Sequence, residues 1–123
     1  MTRAAAGLAA TVALAALAGH AVHAQSPAAA HREVFARYCL TCHTEAQRSR
    51  GAVPVALDTL DLSHVAGHAD VWERVVRKMR AGVMPPAGMP RPDRSTLEAL
   101  AGWLESQLDM AAAAHPNPGR TEP

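Results

Sequence analysis

Two thiols and an imidazole stand within five residues of this chain, Cys39-Leu40-Thr41-Cys42-His43, and Cys39 and Cys42 are its only cysteines. Thiols at this spacing, followed at once by a histidine, suit the covalent attachment of a c-type haem. Each sulfur can add to one of the two vinyl groups at one side of the porphyrin. The two intervening residues let the backbone curl so that both sulfurs reach that edge, and the imidazole of the next residue takes one axial position on the iron. Two cysteines at this spacing also suit half of a zinc site, a thioredoxin-type dithiol or a small disulfide. Zinc normally needs four ligands; no second cysteine pair exists, and only His64 and His68, four apart, could complete the set. A thioredoxin-type dithiol belongs after a strand in an alternating β/α pattern, which this sequence lacks. Haem attachment is the expected chemistry.

An iron that carries electrons in a six-coordinate haem needs a second ligand opposite His43. A methionine thioether stabilises ferrous iron and raises the potential relative to a second histidine. The chain has five methionines. Met1 belongs to a leader, Met79 lies on the apolar face of a helix and serves as core, and Met110 sits near the end of the last helix. Met84 and Met89 share the loop Val83 to Pro92. Met84 follows a helix stop at Gly82 and precedes Pro85-Pro86. Proline bars residue 84 from the helical region and fixes the next φ, so the side chain is presented from a rigid extended segment. The default role of a lone methionine is core filling. Met84 is nevertheless the expected ligand, with Met89 next and His64 or His68 behind.

The elements that must position these groups are helical. Ser26-Pro27 marks a helix start, with serine as N-cap and proline at the first helical position. That helix runs to about Tyr38, its pairs Val34/Tyr38 and Phe35/Cys39 forming an apolar face that leads into the attachment turn. Asp70 to Glu73 and Ser95 to Glu98 each match a capping box. The first opens a helix through Val75, Val76 and Met79, ended by Gly82. The second opens an amphipathic helix over Leu97, Leu100, Ala101, Leu104 and Leu108 that ends near Ala113. Arg74, Arg77, Lys78 and Arg80 resemble a docking patch, but a solvated face with dipole-matched cations is favoured. From Thr44 to about His68 there is no strong periodicity. So long a loop is unusual in a compact domain, unless Leu57, Leu60 and Leu62 fold over a porphyrin.

Composition and address agree with this chemistry. Thr2-Arg3 and the apolar run Ala4 to Ala18 precede Val22-His23-Ala24, so residues 1–24 are expected to be a signal peptide cleaved after Ala24. The run of about 15 residues is short for a span, which needs about 20; an uncleaved anchor is the alternative. Residues 25–30 then form a spacer and helix start, 31–113 the folded domain, and 114–123 a Pro/Gly-rich tail or linker. Without Arg3, the twelve basic residues become eleven against eleven acidic ones, which suggests neither nucleic acid nor an anionic membrane as partner. One Phe, one Tyr and two Trp are a thin supply of core, which a covalent porphyrin would supplement. The apo chain is expected to be poorly folded.

The attachment motif, the helix before it, the Met-Pro loop and the C-terminal amphipathic helix together resemble class I monohaem cytochromes c over roughly residues 30–113. The resemblance implies an all-α small cytochrome c fold, with three main helices around one covalently attached haem c. Its first and last helices cross, and its haem edge is exposed at the thioether side. It implies Cys39 and Cys42 as the thioether pair, His43 and Met84 as axial ligands, and Phe35 with Trp103 or Leu104 at the helix crossing. In that family a proline carbonyl after the motif often holds the proximal imidazole, and Pro54 is the nearest candidate. A closer likeness is to cytochrome domains at the N-terminus of large secreted proteins of planctomycete and related bacteria. There, segments similar to Trp72-Glu73-Arg74-Val75-Val76, Arg80-Ala81-Gly82-Val83-Met84-Pro85-Pro86 and Pro116-Asn117-Pro118-Gly119-Arg120 recur in this order. The last normally leads into further domains, so the chain looks like a truncated or split member.

The expected function is that of a periplasmic or otherwise exported carrier of one electron. It would work with redox partner proteins and without a small-molecule substrate, meeting a membrane only through an uncleaved leader. A five-coordinate haem sensor or enzyme module would follow if Met84 does not ligate. A thiol–disulfide oxidoreductase using Cys39 and Cys42 is the third possibility.

Overall fold

The computed structural model describes residues 26–116, and the expected signal peptide and most of the tail lie outside them. Among these residues four α-helices follow one another: α1 (Pro27–Tyr38), α2 (Glu45–Ser49), α3 (Ala69–Arg80) and α4 (Arg94–Ala114). A 3₁₀ turn, Val65–His68, leads directly into α3, and no strand occurs among the described residues. The fold is all-α, with α1, α3 and α4 as its main helices.

Each helix end has a local cause. The Ser26 hydroxyl accepts from the Ala29 amide at 3.3 Å with Pro27 at the first helical position, as the sequence predicts. The two expected capping boxes do not form. At α3 the 3₁₀ turn brings the chain in already coiled, the N-cap position falls on His68 without a side-chain bond, and Asp70 pairs instead with Arg74 at 3.0 Å. At α4 the cap is Asp93, not Ser95. A carboxylate can take several donors at once, and Asp93 accepts from the Thr96 amide at 2.8 Å, the Ser95 hydroxyl at 2.6 Å and the Thr96 hydroxyl at 2.8 Å. Glu98 is spent on Arg94 at 2.7 Å. The short α2 falls where no periodicity is visible, yet Thr44 caps it by accepting from the Gln47 amide at 3.2 Å, and Thr44-Glu45-Ala46-Gln47 carries the capping-box pattern.

The core lies where α1, α3 and α4 meet the segment 56–65. Phe35, Leu57, Leu62, Val65, Trp72, Val76, Met79, Leu100, Ala101 and Leu104 form one buried apolar cluster. Phe35 meets the Trp72 ring at 5.3 Å between centroids, and His31 meets Trp103 at 5.0 Å, so α1 is held to both α3 and α4. Phe35 and Leu104 are both in the cluster, while Trp103 packs at its margin under His31. Leu57 and Leu62 belong to this protein core, with Leu60 packed against it. Arg80 bridges α3 to α4 through a two-pronged pair with Glu105, Nε to Oε1 at 2.8 Å and its terminal nitrogen to Oε2 at 2.5 Å. With Arg74 paired to Asp70 and Arg77 to Glu73 at 3.8 Å, three of the four α3 cations have an acidic neighbour, which favours a solvated face over a docking patch.

Candidate functional site

Helix α1 delivers the first thiol. Its last bonds run from the Cys39 and Leu40 amides to the Phe35 carbonyl, at 2.9 and 3.2 Å, so Cys39 leaves the helix directly beside a buried aromatic anchor. The backbone then makes one more turn. The Cys42 and His43 amides both donate to the Cys39 carbonyl, at 3.2 and 2.9 Å. This turn gathers the two thiols and the imidazole on one short arc. Cys39, Cys42 and His43 are half-buried and Thr41 between them is exposed, so the arc lies at the surface with its groups partly sheltered.

Both thiols are free, with no disulfide between them. Burial pushes the Cys39 thiol up to about 11. Reactive dithiols of redox enzymes owe their thiolate to a depressed pKa, so Cys39 departs from that pattern in the wrong direction for an oxidoreductase. Among the described residues no three His, Cys, Asp or Glu side chains converge on a common point, and His64 and His68 stand exposed on the 3₁₀ turn and just before it.

The imidazole of His43 is held from behind. Its Nδ1 lies 3.2 Å from the Val55 carbonyl oxygen. A carbonyl can only accept, so Nδ1 carries the proton and Nε2 keeps the lone pair that a metal needs. The same residue is tied a second time, since the Leu57 amide donates to the His43 carbonyl at 2.8 Å. The Glu45 amide also donates to Asp58 Oδ1 at 2.9 Å. The segment 44–58 is therefore an excursion laced back against the attachment turn. The anchoring carbonyl belongs to Val55 and not to Pro54, the residue expected from the sequence; Pro54 is exposed. A backbone acceptor leaves no side-chain signature, so only its neighbourhood was legible.

Met84 stands on a separate element, the loop after α3. That helix ends in a Schellman motif: the Gly82 amide donates to the Met79 carbonyl at 2.9 Å and the Val83 amide to the Lys78 carbonyl at 3.1 Å, with Gly82 at φ +68°. The Met84 amide also reaches the Lys78 carbonyl, at 3.3 Å, so the residue is pinned to the helix end before the prolines begin. Met84 is half-buried and Pro85 buried. The other methionines separate cleanly: Met79 is core at 6% exposure, whereas Met89 and Met110 are 44% and 58% exposed.

The donor set fits a covalently held haem. Two unpaired thiols and an imidazole with a free Nε2 share one turn, and the tautomer and orientation of that imidazole are fixed by a backbone carbonyl, as metal-binding histidines require. Neither a search of curated proteins nor one of solved structures finds a match for the sequence. Residues 26–104 match the family described as cytochrome C oxidase, cbb3-type, subunit III. The match starts at the cap of α1 and ends at the innermost leucine of α4, spanning the attachment turn, the laced excursion and the methionine loop. With well over half of its length inside that match, and an all-α fold that presents Cys39, Cys42 and His43 on one turn, the chain belongs to this family of c-type cytochrome domains.

Proposed function

We propose that the domain is a small exported one-electron carrier with a single haem c, bound through Cys39 and Cys42 and ligated by His43 and Met84. When bound, haem c supplies the ferrous/ferric couple. The residues of the chain do the rest. Cys39 and Cys42 fix the group at the surface turn, and Val55 holds His43 in the tautomer that can ligate. Met84, presented between a helix stop and two prolines, provides a soft ligand that favours the ferrous state. The observation that carries the proposal is the His43 Nδ1 contact to the Val55 carbonyl, which leaves Nε2 free on the same arc as both thiols. Exposure of Thr41 between the half-buried cysteines supports electron entry and exit along the thioether edge.

The proposal extends to the address and the partners. Cleavage after Ala24 would release the chain outside the cytoplasm, where redox proteins would be its donor and acceptor. The likeness to N-terminal cytochrome domains of large secreted planctomycete-type proteins supports a role as an electron-entry module. No helix among the described residues is long and apolar enough to cross a membrane.

Co-expression with a haem-maturation system, followed by a reduced-minus-oxidised spectrum, tests the proposal. A low-spin spectrum of c-type that carbon monoxide does not change is the expected result. A high-spin spectrum that responds to carbon monoxide would replace the carrier with a sensor or enzyme module.

A further inference from the structure

The loop that carries Met84 has little packing to hold it. Between Gly82 and Arg91 only Pro85 is buried and Met84 half-buried, while Val83 and Met89 are 48% and 44% exposed. Between the end of α3, the neck of this loop and the first turns of α4 lies a cavity of about 520 Å³, bordered by Met79, Arg80, Gly82, Arg91, Leu97 and Ala101. Side-chain burial therefore contributes little at the neck, and the loop depends on its own turn and its two ends. The internal turn runs from the Met89 amide to the Pro86 carbonyl at 3.2 Å, with Gly88 at φ +84°. The first end is the Schellman motif at Gly82. The second end has a cross-tie: a terminal nitrogen of Arg91 donates to the Gly82 carbonyl at 3.0 Å. This charge-assisted bond grips the very residue that sets the direction in which the chain leaves α3.

We infer that Arg91 is the positioning residue for the sulfur ligand: its guanidinium closes the neck of the Gly82–Arg91 loop and so holds the Met84 thioether in its ligating place. The inference rests on Met84 being the distal ligand. Opening the neck gives the loop more conformations, and the fraction of molecules with Met84 in place falls. A competing ligand then binds more tightly in proportion to the rise in the fraction of molecules whose Met84 is displaced. Arg94, three residues further on, pairs with Glu98 within its own helix and serves as the control cation.

Imidazole titration of the purified holoprotein, followed through the far-red sulfur-to-iron band, measures this competition. Arg91→Ala is expected to raise the apparent imidazole affinity about five- to tenfold, the factor that one solvent-exposed hydrogen bond provides. Arg91→Lys should recover part of the effect, and Arg94→Ala should match the wild type. The unfolding midpoint of Arg91→Ala, followed by circular dichroism, should stay near that of the wild type, which separates opening of the loop from loss of the fold. Unchanged imidazole affinity in Arg91→Ala overturns the clasp and leaves Met84 as ligand. Equal gains in Arg91→Ala and Arg94→Ala assign the effect to net charge and also overturn it. A far-red band that is missing from the wild type, or that survives Met84→Ala, overturns the ligand assignment and the clasp with it.

Discussion

In the proposed carrier Cys39, Cys42 and His43 divide the work of one backbone turn, and substituting the cysteines should separate covalent attachment from ligation. Replacing Cys39 or Cys42 with serine is expected to leave haem that acid–acetone extracts, whereas the wild type keeps its colour under that treatment; a wild type that loses it contradicts the attachment. At the distal side, Met84→Ala should abolish the far-red band, lower the potential and open the iron to carbon monoxide. Met89→Ala should keep the band, because Met89 lies exposed beyond the proline pair. Met79→Ala should also keep it, at a cost of about 2–5 kcal/mol of stability, since Met79 is a buried core side chain. A band lost in Met89→Ala and kept in Met84→Ala would move the ligand along the loop. At this scale the sequence was most informative where chemistry resides in side chains. The proposed attachment triad comes from residue identity and spacing alone. The carbonyl that orients His43 does not, because every residue carries one and only the folded path decides that Val55, and not Pro54, comes within 3.2 Å.

Helix boundaries show the same division between what residue type fixes and what the neighbouring chain decides. Ser26-Pro27 and Gly82 act as their types predict, since a serine cap, an N1 proline and a left-handed glycine are strictly local devices. The starts of α3 and α4 depended on competition. Asp70 lost its cap role to a preceding 3₁₀ turn, and Ser95 lost to Asp93, whose carboxylate gathers three donors. That gathering has a consequence in acid. The Ser95 hydroxyl first, then the Thr96 amide and hydroxyl, bring the Asp93 carboxyl down from 3.8 to about 2. A carboxyl whose folded pKa is depressed stabilises the fold fully above its unfolded value, and that contribution disappears as pH falls through the folded one. The wild type should therefore lose stability between pH 3.8 and about 2 faster than Asp93→Asn, which keeps the capping oxygen without the titration. Thermal midpoints across that window check it, and parallel curves for the two proteins would show that the cap is not charge-dependent. Gly82 provides the complementary test. A Cβ there meets nothing within 4 Å, so Gly82→Ala carries only the backbone cost of its φ of +68°, roughly 1–2 kcal/mol. Denaturant unfolding should register that loss, with a smaller one for Gly82→Asn; equal stability of all three proteins would mean that the helix end relaxes to another conformation.

Considered as a whole, the domain distributes its stability unevenly, and the uneven part adjoins the attachment turn. Among the described residues eleven hydrophobic side chains are buried, no buried polar or charged side chain accompanies them, and α1, α3 and α4 contribute seven of them. The segment 44–64 contributes only Ala56, Leu57 and Leu62, and α2 within it buries nothing. Val55 and Leu60 add half-buried apolar contacts to the core, and the polar ties, among them the capped α2, the Glu45–Asp58 bond, the Asp61–Ser63 turn and the two bonds to His43, lie at or near the surface. Such a segment opens locally at little cost unless something holds His43 itself in place. A covalently attached, iron-ligated haem would do so by fixing His43 and both cysteines on one rigid group, and binding to the folded state alone raises its stability. The expected outcome is therefore graded along the chain. In the Cys39→Ser/Cys42→Ser protein without haem, amide hydrogen exchange over residues 44–64 should be fast. Exchange in α3 and in the Leu97–Leu104 part of α4 should keep more protection, though less than in the holoprotein. In the wild-type holoprotein, residues 44–64 should be slowed relative to that variant by the largest factor anywhere in the domain. Uniform protection with and without haem would show that the protein core alone supports the excursion. Uniform loss throughout would show instead that α3 and α4 cannot hold together on their own apolar contacts and the Arg80–Glu105 bridge.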